Sequence, residues 1–494
     1  MDLDHGACYR ALVARDARFD GRLFVGVRTT GVYCRPICPA RTPKSANVSF
    51  FPSAAAAHEA GLRPCLRCRP EASPDLAMWQ GTSTTVTRAL ALIESGALDG
   101  ADVDALAARL GIGERQLRRL FHTHLGASPV AVAQTRRVLL AKQLIHETHL
   151  PMADIAMAAG FGSVRRFNET FARIFDRPPA ALRRANAARA SGAADGVTLT
   201  LRYRPPYDWD TLLGFLRLRA IPGVEAVIGS RYVRTVQVAG AHGTIAVEAA
   251  PGDCLRATIR FPDLRALPGI IARIRRVFDL AADPLAIGGH LATDPLLAPL
   301  VAARPGLRVP GAWDGFELSV RAILGQQISV AAATHLAGQL VHAYGVPLGD
   351  DERTVPGLTH LFPEPAAIAA SSIDALRMPG ARKAALASIA RAVAGDPCLF
   401  GTRSDLGAAI AQLRSLAGIG EWTAQYIAMR ELREPDAFPA TDIGLLRAMA
   451  GADGRRPTPA ELLARAERWR PWRAYAAVHL WTAGSAAMAE SDAA

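Results

Sequence analysis

Four cysteines in two tight pairs constrain this chain more than any other feature. Cys34-Arg-Pro-Ile-Cys38 and Cys65-Leu-Arg-Cys68 are a C-x3-C and a C-x2-C motif separated by 26 residues. Two close pairs of soft thiolates close tetrahedrally around one zinc ion, and the backbone that carries them must fold back to do so. The bland alternative is coincidental spacing of buried cysteines. No H-x-E triplet precedes either pair, which excludes the zinc site of a base deaminase. The remaining cysteines, Cys8, Cys254 and Cys398, are scattered, and an odd total of seven is unlike a disulfide framework. The chain therefore reads as a reduced, cytoplasmic protein.

Charge is concentrated near the same end. Residues 1–190 hold 26 Lys+Arg against 16 Asp+Glu, whereas residues 191–494 hold 31 against 29. A basic front half suggests a polyanionic partner, with nucleic acid favoured over a membrane surface. The alternative is an Arg-rich composition without binding consequence. Half the residues are hydrophobic, which excludes wholesale disorder. No signal-peptide pattern opens the chain, and no run of about 18 uncharged apolar residues occurs, so no membrane is expected.

Two small-residue stretches, Gln80–Thr85 and Ala190–Gly196, read as linkers. Between them the pattern is helical and repeats at an offset of 50. Leu117, Phe121, Leu125 and Pro129 correspond to Phe167, Phe171, Phe175 and Pro179. Each copy has a helix, a glycine-bearing turn and a second helix, about Glu114–His124 and Ser163–Phe175. A longer helix, about Val130–His146, joins them. The second helices carry Arg115, Arg118, Arg119, Arg165 and Arg166 opposite their apolar stripes, as a major-groove reading helix requires. Two ordinary helical hairpins with solvated arginines are the alternative.

After the second linker, Val197–Tyr203 alternates like a half-buried strand. Much further on, Gly418-Ile-Gly420 sits between helical stretches and makes a tight hairpin whose amides can approach a phosphate. Asp442 follows Trp422 by 20 residues, in Phe438-Pro-Ala-Thr-Asp-Ile443. Taken alone, an aspartate following this proline reads as a helix N-cap. Four of the seven tryptophans lie beyond residue 420.

Three resemblances follow from these residues. Arg28–Arg41, Asn47–Phe51 and Gly61–Pro70 closely resemble the Ada methylphosphotriester-repair domain. That resemblance implies one zinc ion on Cys34, Cys38, Cys65 and Cys68, with Cys34 as acceptor of a methyl group from a damaged DNA phosphate. A purely structural zinc is the alternative. Ile155–Pro179 resembles the AraC-type DNA-binding domain, which implies sequence-specific binding of double-stranded promoter DNA and, for a regulator, RNA polymerase as a partner. Tyr203–Leu216, Phe316–Val330, Leu416–Tyr426 and Ala464–Tyr475 resemble the AlkA-type 3-methyladenine DNA glycosylases of the helix-hairpin-helix superfamily.

The last resemblance implies a catalytic role for Asp442 and a base pocket of Trp422, Tyr426 and Trp481, with Trp469 and Trp472 in the core. It further implies DNA contacts at Gly418, Gly420 and Thr423, and a structural monovalent cation held by carbonyls near Leu416 and Gly418. The wedge that fills the gap left by the flipped base corresponds to Gln327. Trp422 stands where bifunctional relatives carry a lysine nucleophile, which implies a monofunctional glycosylase. No cysteine follows Cys398, so no iron–sulfur cluster is expected. No Pro-Cys-His-Arg motif exists, and Pro397-Cys398-Leu-Phe400 only echoes it, so direct reversal of O6-methylguanine is not expected.

The expected fold class is multidomain α+β. Residues 1–79 form a small zinc-binding α/β domain, and 84–189 an all-α double helix-turn-helix domain. Residues 197–283 form a mixed α/β subdomain, and 284–490 an all-α helix-hairpin-helix domain. The expected function joins methyl sensing and transcriptional regulation to excision of alkylated bases by a cytoplasmic, nucleoid-associated protein. A transcriptional regulator whose C-terminal module binds DNA without cleaving it is the rival reading.

Overall fold

The computed structural model describes residues 4–73, 84–183, 196–396, 399–400, 406–451 and 453–493. Most of the first expected linker, nearly all of the second, and Pro397 and Cys398 lie outside these residues. The chain divides into two compact units. Residues 1–203, 238–275 and 280–282 make the first, and 204–237, 276–279 and 283–494 the second.

The first unit begins with a four-stranded sheet. Its strands are β1 (Phe24–Val27), β2 (Val32–Cys34), β3 (Val48–Phe51) and β4 (Arg63–Pro64), in the order β3-β1-β2-β4. β1 is buried along its whole length and pairs antiparallel with both β2 and β3. β4 runs parallel to β2, with Pro64 beside Tyr33. That register brings Cys65 level with the end of β2, so both cysteine pairs reach the same end of the sheet.

The duplicated helical region has the expected offset. Val103–Arg109 and Glu114–Leu125 are followed 49 to 50 residues later by Met152–Ala158 and Val164–Phe175. The joining helix is Pro129–Glu147. Each first helix runs into a glycine with left-handed backbone, Gly111 at φ +69° and Gly160 at φ +86°, where a Cβ would be strained. Each second helix buries one side chain per turn: Leu117, Phe121 and Leu125 in one, Phe167, Phe171 and Phe175 in the other. Phe161, Phe167, Phe171 and Phe175 form a ring ladder with centroids 4.7 to 5.3 Å apart between neighbours.

Five further strands follow, β5 (Val197–Arg202), β6 (Glu225–Ile228), β7 (Arg231–Val238), β8 (Ala241–Ala250) and β9 (Cys254–Arg260). In the first unit β9 pairs antiparallel with both β5 and β8. β5 alternates as expected, burying Val197, Leu199 and Leu201. Its open edge is satisfied by the joining helix. Thr200 N donates to Glu147 Oε2 at 2.9 Å, and Gln143 Nε2 donates to Thr200 O at 2.9 Å. These bonds explain why β5 packs with the helical region before it and not only with the segment after it.

In the second unit β6 and β7 form an antiparallel hairpin, and the remainder is mostly helical. The helix Gly315–Leu324 has every residue but Arg321 buried, the mark of a core helix. Its charges are paired. Glu317 accepts from Arg234 at 2.6 Å and from Arg321 at 2.7 Å, and burial, which would raise its pKa, is outweighed by these two arginines, leaving it at about 2. This helix delivers the loop 325–329 to one rim of a large cavity, and Glu421–Arg430 and Ile443–Ala448 approach another.

Candidate functional site

The cavity occupies about 1730 Å³ in the second unit. Asp442 lies on its wall as the N-cap of the helix Ile443–Ala448, its Oδ1 accepting from Leu445 N at 2.9 Å. The cap does not exhaust the carboxylate. Oδ1 also accepts from Trp481 Nε1 at 2.9 Å, and Oδ2 accepts from Trp422 Nε1 at 2.8 Å. Cap and candidate catalytic group are thus one side chain. Both indoles turn their N–H edges to it, which fixes the carboxylate's orientation and leaves the ring faces to the cavity wall.

Trp422 stacks on Tyr426 with centroids 5.0 Å apart and planes at 10°, and Tyr426 meets Trp481 edge-on at 6.4 Å. Trp422 and Trp481 therefore meet at Asp442, and Tyr426 packs against both of their rings. Trp469 and Trp472 are buried elsewhere, 1% and 4% exposed, and Trp469 Nε1 donates to Asp294. Trp422, Tyr426 and Trp481 line the cavity, whereas Trp469 and Trp472 are not part of its wall.

Sequence reasoning missed the pocket's cationic side. Arg430, one helical turn after Tyr426, donates to its hydroxyl at 2.6 Å and is anchored by the carbonyls of Pro310 and Gly311. Arg219 stacks over Phe215 at 3.8 Å. Burial alone would raise the Tyr426 phenol, but Arg430 and Arg219 outweigh it and hold the pKa below the usual range. The i,i+4 spacing of Tyr426 and Arg430 was a usable signal. Nothing local pointed to Arg219, some 200 residues upstream.

The hairpin expected at Gly418 and Gly420 joins Leu406–Arg414 to Glu421–Arg430, and Gly420 is the N-cap of the second helix. Gly418 has φ +82°, and a Cβ on it would lie 2.2 Å from Ala385 Cβ. Gly418→Ala should therefore destabilise the fold by about 1–3 kcal/mol through overpacking and backbone strain. Chemical denaturation of the variant would measure this, and an unchanged midpoint would contradict it. Thr423 lies in the first turn of the helix Glu421–Arg430. Its side chain is buried and its hydroxyl accepts from Gln326 Nε2 at 3.1 Å, because the third helical position points inward here. What it can offer a phosphate is its backbone amide in the first turn. Leu416 O accepts from Ile419 N and Gly418 O from Gln326 Nε2. Gln327 is exposed on the cavity rim with left-handed backbone, φ +60°.

In the first unit the Sγ atoms of Cys34, Cys38, Cys65 and Cys68 all lie within 4.8 Å of one another, and each residue is 7% exposed. A tetrahedron with Zn–S bonds of about 2.3 Å has edges of about 3.8 Å, so this cluster fits one zinc ion. Backbone N–H groups support it. Arg35 N donates to Cys68 Sγ at 3.3 Å and Arg67 N to Cys65 Sγ at 3.4 Å. Neither donor is aimed at Cys34. Lys142, from the joining helix, donates to Cys65 O at 3.1 Å and to Glu71 Oε2 at 2.6 Å. Sequence reasoning missed this link as well, because the partners are more than 70 residues apart.

The five expected reading arginines are all exposed. Arg118 pairs with Glu114 at 2.5 Å and Arg165 with Glu169 at 2.8 Å within their helices. Such exposed pairs hold weakly and exchange readily for a phosphate or a base edge.

A cysteine centre, a double helix-turn-helix and an aromatic cavity with a pinned carboxylate beside a glycine hairpin define a DNA repair protein fused to a DNA-binding regulator. Comparison with known proteins agrees segment by segment. The metal binding domain of Ada matches residues 7–71, a helix-turn-helix domain 106–185, the AlkA N-terminal domain 198–314, and the HhH-GPD superfamily base excision DNA repair protein 320–474. A probable bifunctional transcriptional activator/DNA repair enzyme AlkA of Mycobacterium tuberculosis is 44% identical over 98% of this chain and 97% of its own. DNA-3-methyladenine glycosylase 2 of Escherichia coli is 38% identical over 57% of this chain and 96% of its own. The solved 3-methyladenine DNA-glycosylase from Archaeoglobus fulgidus is 21% identical, covers 58% of this chain and 98% of its own, and superposes with a TM-score of 0.51, a likeness of fold. The chain belongs to the family of bifunctional transcriptional activator/DNA repair enzymes of the AlkA type.

Among the described residues no helix is long and apolar enough to cross a membrane.

Proposed function

We propose that this protein serves the response to DNA alkylation twice over, as a methyl-sensing transcriptional regulator and as a monofunctional glycosylase that removes bases such as 3-methyladenine. The observation that carries the second half is the Asp442 carboxylate held between the N–H edges of Trp422 and Trp481, beside the stacked Trp422–Tyr426 pair. An alkylated, electron-poor base extruded from the duplex would stack on these rings. As the bond from C1′ to the base nitrogen breaks, positive charge grows on the sugar, and Asp442 stabilises it. Water then adds its hydroxyl to C1′ and its proton leaves through the carboxylate or the departing base. Base release from a 3-methyladenine duplex is the test, and its absence would favour the non-cleaving regulator.

For the first half, Cys34 is the proposed acceptor. Bound zinc keeps the cluster's thiolates deprotonated at neutral pH. The Cys34 sulfur attacks the methyl carbon of the phosphotriester, an S–C bond replaces a C–O bond, and the phosphate regains its negative charge. Its place as the first cysteine of the four-cysteine cluster, in the segment that matches the metal binding domain of Ada, supports this choice. One negative charge is lost from the cluster, which strengthens its attraction to DNA. After exposure to methylphosphotriester DNA, peptide mass spectrometry should find one methyl group on the Cys34 peptide. Methyl on another cysteine, or on none, would overturn the assignment.

Arg115, Arg118, Arg119, Arg165 and Arg166 are the proposed promoter contacts, and the amides around Gly418, Gly420 and Thr423 the proposed damaged-site contacts. The carbonyls of Leu416 and Gly418 are the proposed seat of a structural monovalent cation. RNA polymerase is the proposed partner at the promoter, and the nucleoid the proposed place of action in the cytoplasm.

A further inference from the structure

Gln326 joins three elements around the cavity. It follows the core helix Gly315–Leu324 and precedes the exposed Gln327, whose backbone is left-handed at φ +60°. Its Nε2 donates to Gly418 O at 3.1 Å and to Thr423 Oγ1 at 3.1 Å, and its own carbonyl accepts from Arg382 Nη2 at 2.6 Å. Arg382 lies on the helix Gly380–Gly395, the same helix whose Ala385 sits against Gly418. The amide orientation is fixed by chemistry, since a backbone carbonyl only accepts and the NH2 must face it. Both N–H bonds of one side chain therefore tie the rim loop to the hairpin, 92 and 97 residues away in sequence.

We propose that Gln326 is a positioning residue that holds the strained rim tip at Gln327 in fixed register with the glycine hairpin, so that gripping the backbone and extruding the base occur as one event. A non-glycine residue with positive φ persists only where its surroundings over-determine it, and the Gln326 bonds are the adjacent constraint. The hairpin itself does not need Gln326 to present its amides. Loss of the tie should leave general duplex affinity in place and remove the preference for damaged sites.

This inference rests on the glycosylase reading, and the test separates the two. Affinities for an undamaged duplex and for one holding a stable abasic-site analogue are compared in wild type, Gln326→Met and Gln326→Glu, with single-turnover base release and thermal stability measured alongside. Met keeps the length without donors, and Glu keeps the shape without N–H. If the wild-type protein shows no preference for the abasic duplex, the glycosylase reading itself fails. If it does, Gln326→Met should retain undamaged-duplex affinity and thermal stability while the abasic preference and the single-turnover rate fall by ~10²-fold, the scale of a misplaced site. Gln326→Glu should lose the same preference and rate with stability kept, its added charge lowering both affinities alike. Variants that keep the wild-type preference and rate overturn the proposal. So do variants in which both affinities and stability fall together, since that is the signature of a merely structural residue.

Discussion

Asp442→Asn is expected to reduce base release by ~10³-fold or more, the scale on which preorganised charge stabilisation operates, while the folded protein still binds damaged DNA. Asn is as good an N-cap as Asp, so the bond from Leu445 N survives and the helix Ile443–Ala448 stays in place. What disappears is the negative charge facing the sugar. The amide NH2 must also face an indole N–H, because both Asp442 oxygens accept from tryptophans. Asp442→Ala is the useful companion. It removes the cap as well, at about 1 kcal/mol, so the pair of variants separates loss of the cap from loss of the charge. An Asn variant that releases base at the wild-type rate would reduce Asp442 to a cap.

The second large effect concerns the joint between cysteine centre and reader. Lys142 and Glu71 are 0% and 1% exposed in their side chains and 2.6 Å apart. Burial pulls the Lys142 ammonium below its usual pKa, and Glu71 opposes that shift. A buried pair of this kind adds little net stability, but leaving one partner uncompensated is costly. Lys142→Met should destabilise the first unit by about 3 kcal/mol, the low end for such a loss because Arg69 still pairs with Glu71 at 3.0 Å. The double variant Lys142→Met with Glu71→Met should recover most of it. Lys142 also holds Cys65 O, so the single variant should surrender zinc to a chelator faster than the wild type. Wild-type denaturation and zinc retention in Lys142→Met would refute this account.

Both effects show where sequence reading stops. The cysteine pairs, the repeat at offset 50 and the Gly-x-Gly hairpin are readable because their meaning lies in local spacing. A thiolate pair three or four residues apart, or a phenylalanine every fourth residue, has few conformations that satisfy it. Trp422, Tyr426 and Trp481 were singled out from the motifs that carry them, and the structure sets all three on the cavity wall. Thr423 was legible only as part of a motif, and the fold alone shows that its inward hydroxyl meets Gln326.

The sequence by itself therefore determined the modules, their order and the identity of most chemical groups. Tertiary structure alone decided how those groups are held. Trp422 and Trp481 reach Asp442 across 20 and 39 residues, Lys142 reaches Glu71 across 71, and Gln326 reaches Gly418 across 92. The physical reason is common to all four. A polar group withdrawn from water, wholly as at Lys142 or partly as at Asp442 and Gln326, pairs with whatever the fold brings within reach, and that choice is made by the packing around it.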